Sequence, residues 1–176
     1  MPIKPTISLG LTLPEVVTTV CISGILAGIA IPNFMNLITN NRTATIANQL
    51  VTALAFARSE AIKRGLPVTI KHKGTEPKVW EYGWDIFTDS NSNGTIDMSD
   101  QPLKTYEALP EGYTLRTGGN FAKWVAYTAT GVSRGGTGFA NDTFSLCDSS
   151  RLKAQSRAII IKMGRVRTET GSAKCQ

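Results

Sequence analysis

The chain has 176 residues, 41% of them hydrophobic and 18% charged, which excludes whole-chain disorder and leaves room for one globular domain plus a further segment rather than two full domains. The formal net charge is +6 and unevenly placed: Cys147 to Gln176 holds seven bases against two acids, whereas the rest of the chain holds 12 bases and 11 acids. A one-sided basic segment favours an anionic partner such as nucleic acid or anionic lipid.

From Val16 to Asn41 there is no charged residue over 26 positions, enough apolar helix to cross a bilayer. Glu15 stands at its start, where a carboxylate calls for a partner or a function. An ordinary secretory signal, with Gly28 and Ala30 before a cleavage point, is the alternative; a single Lys4 in the leading region, the place of Glu15 and helical sequence continuing past Ala30 all count against it. Beyond Pro32, expected to kink or relax the helix, apolar residues recur at Ile46, Leu50, Ala53, Leu54, Ala57 and Ala61 at helical offsets. Lys63 and Arg64 complement the helix dipole before Gly65 and Pro67 end it. The expectation is one helix from about Leu11 to Arg64.

Strands are expected over Val68–His72, Val79–Phe87, Leu103–Glu107, Tyr113–Thr117, Trp124–Thr128, Thr143–Cys147 and Ala158–Met163, separated by turn residues. The glycine-rich stretch 131–138 is expected as a mobile loop. Helix first and strands afterwards define an α+β fold, a long N-terminal helix packed against an antiparallel sheet domain. Asp89, Asn91, Asn93, Asp97 and Asp100 follow calcium-loop spacing around Gly94, although Asn-Gly makes a hairpin turn without an ion, so a plain turn and a weak Ca²⁺ site both stand. No other cofactor is expected. Among the three cysteines, Cys21 lies in the apolar run, while Cys147 and Cys175 flank the basic segment and are the natural pair if the domain is exported. Enzyme chemistry has no foothold: the single histidine, His72, is expected as an exposed strand residue, and no nucleophile–base or paired-carboxylate arrangement is legible. The aromatic residues Trp80, Trp84, Trp124, Tyr82 and Phe87 read as sheet core and edge.

The run Gly10-Leu11-Thr12-Leu13-Pro14-Glu15 ahead of an apolar helix resembles the prepilin signature, with Leu11 in place of the usual phenylalanine and Pro14 where isoleucine is common. Proline is tolerated in the first turn of a helix. The resemblance implies a leader of residues 1–10, cleavage by a prepilin peptidase between Gly10 and Leu11, methylation of the new N-terminus at Leu11, and pairing of Glu15 with a neighbouring subunit's amine. It divides the remainder into a transmembrane half-helix, 11–38, and a periplasmic or extracellular domain, 39–176. The helix end Ala57–Arg64, the strand Gly83–Phe87, the turn Asp89–Asp97 and the closing Gly164-Arg165-Val166-Arg167 are together similar to the FimT/GspH group of minor pilins and pseudopilins.

Arg165 and Arg167, two apart on a strand, point to one face and suit successive phosphates. In some FimT-type minor pilins a C-terminal Gly-Arg-x-Arg motif binds DNA for natural transformation, and Gly164, Arg165 and Arg167 match it. Lys162, Arg157, Lys174, Arg151 and Lys153 extend the basic patch by charge alone. The expected partners are double-stranded DNA, other pilin subunits, the peptidase and the bacterial inner membrane. The competing expectation is a structural minor pseudopilin of type II secretion, or a pilus-priming subunit, whose basic face meets another subunit.

Overall fold

The computed structural model describes Gly10 and residues 12–148 and 155–175. Leu11, Arg151 and Lys153 lie outside the described residues. The chain divides into two compact units, Met1–Thr39 and Asn40–Gln176.

In the first unit, helix α1 (Leu13–Arg64) begins at a cap written in the sequence. Thr12 precedes it and Glu15 stands three residues on, and the Glu15 carboxylate accepts from both the Thr12 amide and the Thr12 hydroxyl at 3.4 Å. This is the return half of a capping box, and it places a negative charge at the positive end of the helix dipole. Every large apolar side chain from Leu13 to Ile38 is exposed, and the helix contains a window of mean hydropathy 1.8, long and apolar enough to cross a membrane. Its polar side chains turn back onto the helix: Thr18 and Thr19 donate to the Glu15 carbonyl and Asn33 to that of Ile29, so they need no outside partner. The helix continues through Pro32.

In the second unit the character of α1 changes. Thr43, Ile46, Ala47, Leu50, Ala53, Leu54, Ala57 and Ala61 are buried, an apolar stripe of helical period. Two antiparallel sheets share this stripe as one core. The first contains β1 (Val68–His72), β2 (Trp84–Thr88), β3 (Pro102–Tyr106), β5 (Trp124–Tyr127), β6 (Ser133–Gly135) and β7 (Gly138–Phe139), in the order β3-β2-β1-β5-β6-β7. The second contains β4 (Thr114–Thr117), β8 (Asp142–Cys147), β9 (Arg157–Lys162) and β10 (Arg165–Thr170), in the order β10-β9-β8-β4. Val68, Ile70, Val125 and Tyr127 from the first sheet join Phe144, Leu146, Ile159 and Ile161 from the second in a single cluster with the helix. Trp80 is fully buried in that cluster; its indole N–H donates to the Phe121 carbonyl at 3.1 Å, and its ring meets Phe144 edge-on at 4.9 Å. A smaller cluster of Cys147, Ala158 and Ala173 lies around the Cys147–Cys175 disulfide, whose Cα atoms are 5.8 Å apart.

Three expectations are corrected. The strand foreseen from Val79 begins only at Trp84, because Gly83 adopts φ +91° and a Cβ there would stand 2.4 Å from the Tyr106 carbonyl oxygen; Val79 instead bridges to Arg116 beside the second sheet. The stretch 131–138 is no loose loop: it carries β6, and Gly131, Ser133 and Gly135 are buried. His72, expected exposed, is buried at 6% exposure against Trp80, with ring centroids 5.6 Å apart.

Because Leu54 is fully buried where helix and sheets meet, Leu54→Ala is expected to destabilise the folded domain by about 2–5 kcal/mol, read as a lowered urea midpoint with unchanged slope. Replacing both Cys147 and Cys175 by serine opens a link between residues 28 apart and is expected to cost roughly 2–4 kcal/mol in the same assay.

Candidate functional site

The basic residues converge on the β9–β10 hairpin. Arg165 pairs with Lys162 and Arg167 with Ile160, leaving a two-residue turn of Met163 and Gly164 at φ 48° and 81°, the geometry that matches the twist of a hairpin. Gly164 is there for more than its φ: a Cβ would lie 2.0 Å from the Gly131 carbonyl oxygen. The Gly164 amide donates to the Ser133 hydroxyl at 2.9 Å, the Met163 amide to the Asn141 side chain at 2.7 Å, and Arg58 from α1 donates to the Gly131 carbonyl at 3.0 Å. The hairpin turn is thus fastened through Gly131 and Ser133 to the helix and the first sheet. Arg58, Gly131 and Ser133 are absent from the sequence-based site, since nothing local links them to residue 164.

Alternation along β10 places Arg165, Arg167 and Glu169 on one face and turns Val166 toward the core. Arg165 and Lys162 are exposed directly across from each other, and neither makes an ion pair among the described residues. Arg167 forms a 2.6 Å ion pair with Glu169, the two side chains 67% and 39% exposed. Lys174 is exposed after β10. Arg157 does not join this patch, a further correction: it is buried, and its guanidinium donates to Asn40 and to the carbonyls of Gln155 and Ser156.

The calcium-like segment connects β2 to β3 and spends its oxygens on itself. Buried Asp89 accepts from the Thr69 hydroxyl at 2.7 Å and from the amides of Asn93 and Gly94. Asp97 accepts from Asn91, Asn93 and Ser99, hydrogen bonds with Ser99 foremost that hold its carboxyl below the usual aspartate range. Asp100 accepts from the Ser90 and Asp97 amides. Among the described residues no group of three or more His, Cys, Asp or Glu side chains comes together to hold a metal.

Residues 47–164 match the profile of the family described as Type II transport protein GspH. The chain belongs to the GspH family. GspH-family membership and the exposed apolar half of α1 together mark a membrane-anchored pilin-like subunit. Two crystal forms of the Pseudomonas aeruginosa type IV minor pilin FimU share the fold at 24% identity, with TM-scores of 0.59 and 0.62. They cover 76% and 77% of this chain and 97% and 94% of the FimU chains. The α+β pilin fold and the minor pilin or pseudopilin resemblance are thereby borne out. No curated protein sequence matches the chain.

Gly164→Ala is expected to destabilise the protein by about 2–4 kcal/mol, combining left-handed backbone strain with overlap on the Gly131 carbonyl, as measured by urea unfolding. Burial, reinforced by Lys71 and Lys123, lowers the pKa of His72 below 6.5. The unfolded chain then takes up this proton first as the pH falls, so the contribution to stability is full above pH 6.5 and lost as the pH drops through the folded-state value. Urea midpoints at pH 5 and pH 7 are expected to differ less in His72→Gln than in the parent chain.

Proposed function

We propose that this GspH-family subunit is a minor type IV pilin that captures extracellular double-stranded DNA without sequence preference, for uptake in natural transformation, through the Gly164-Arg165-Val166-Arg167 hairpin. The observation that carries the reading is the facing of Lys162 and Arg165 across two strands, with Arg167 next on the same face. Like charges directly opposite each other cost stability, and an anionic ligand between them reverses the sign of that term. The fastened turn fixes the backbone from which both side chains spring, so a phosphate meets two cations on one face of the hairpin. Phosphate contacts of this kind give affinity without reading bases. The remaining expectations belong to the same reading: leader cleavage after Gly10, methylation at Leu11, pairing of Glu15 with a neighbouring N-terminus, and a single-pass inner-membrane anchor with the domain in the periplasm until assembly.

A second reading has an observation of its own. The family's description as a type II transport protein favours a structural pseudopilin, and the Arg167–Glu169 pair shows that one of the arginines has an acidic partner at hand.

Full-length protein in nonionic detergent, titrated with fluorescent duplex over a range of salt, separates the two. Affinity is expected to fall steeply with salt, and Arg165→Ala/Arg167→Ala is expected to remove most binding and flatten the slope by about two units, with an unchanged circular dichroism spectrum. A wild-type protein that leaves duplex unbound at low salt favours the pseudopilin.

A further inference from the structure

The outward face of the second sheet is hollowed into an open groove of about 890 Å³. Ser145, Ala158 and Ile160 form its floor, and Lys78 and Lys174 stand among its walls. The acids bordering the groove are already engaged. Asp142 accepts from the amides of Gly118, Phe121 and Thr143. Glu169 is paired with Arg167 and accepts from the Ser172 hydroxyl, and Glu81 holds Arg116 at 2.7 Å. Lys78 and Lys174 are exposed, and their ammonium groups make no hydrogen bond or ion pair among the described residues. With Arg116 offset by Glu81 and Glu169 by Arg167, Lys78 and Lys174 stand against the single carboxylate of Asp142, so the lining is net positive.

Its lining also restricts the ligand class. Among the described residues that line it there is no aromatic side chain, and so no platform on which bases stack. Threonine and serine hydroxyls at 114, 143 and 145 offer donors that suit anionic oxygens. The register makes this surface continuous with the hairpin: Lys162, Ile160 and Ala158 alternate along one face of β9, opposite Arg165, Arg167 and Glu169 of β10. The same face runs on through Thr143 and Ser145 of β8 to Arg116 of β4.

We infer that this groove is a second contact track for the phosphodiester backbone of nucleic acid, with Lys78 and Lys174 as its phosphate ligands. The inference rests on the DNA-binding reading of the hairpin and extends it from one strand edge to a whole sheet face. Contacts there are electrostatic and independent of base sequence.

The test compares the full-length protein in nonionic detergent with Lys78→Gln/Lys174→Gln and with the Arg165/Arg167 double alanine variant, using fluorescent duplex at several salt concentrations. The lysine variant keeps side-chain size at two exposed positions, and circular dichroism checks its fold. The expected result is an approximately tenfold weaker affinity at low salt, equal for A·T-rich and G·C-rich duplexes, and a salt slope flatter by roughly two units. Brief lysine acetylation read by mass spectrometry is expected to show Lys78 and Lys174 protected by duplex. Unchanged affinity and slope in the lysine variant, with both lysines acetylated equally with and without duplex, overturns the groove while leaving the hairpin reading intact, provided the arginine variant loses binding. Absence of duplex binding by the wild type overturns both. Protection by polyglutamate but not by duplex assigns the groove to an acidic protein neighbour and overturns the inference.

Discussion

The alternation of small and branched side chains on one face of α1 is the constraint on which the domain depends. Ala47, Ala53, Ala57 and Ala61 interleave with Ile46, Leu50 and Leu54, and all are buried. Alanine keeps the helix surface low enough for strands to come close, while the leucines fill the space between neighbouring side chains. The two sheets are bound less by each other's edges than by a common helix: Ile70 and Tyr127 from one and Phe144 and Ile159 from the other belong to its cluster. Trp80, on the segment between β1 and β2, extends from the first sheet into the second and fixes their pairing.

The hairpin depends in turn on that frame. Gly164 against the Gly131 carbonyl is a contact of backbone with backbone, made firm by Ser133 on one side and Arg58 on the other. A turn held in this way has little backbone freedom left to lose. Glycine in the Gly-Arg-x-Arg segment is therefore structural in this chain: it sets where the two arginines begin, and they supply the charge.

What could be read from the sequence was what local spacing determines. The charge-free run, the 3.6-residue stripe and the stop at Gly65 gave the helix to within two residues of its observed start and to its observed end, and β1 was bounded correctly at both ends because turn residues flank it. The failures are non-local. Arg157 is surface charge by composition alone, yet its guanidinium donates to Asn40, 117 positions away. Glycines 131 and 135 look like slack in the chain, whereas a Cβ on Gly131 would meet the Ile62 and Arg58 side chains and one on Gly135 the carbonyl of Asn120. At Asp89 the ambiguity is chemical: the oxygen spacing that suits a cation equally suits a row of backbone amides, and the Asp89 carboxylate accepts from those of Asn93 and Gly94.

One consequence follows from the position of β10 at the outer rim of its sheet. An edge strand offers unpaired amides and carbonyls to any strand that drifts near. Arg165 and Arg167 spread like charge along this rim, so two copies approaching rim to rim repel each other before their backbones can zip together. The two arginines thus do a second job at this rim, discouraging strand pairing there whatever else meets the hairpin.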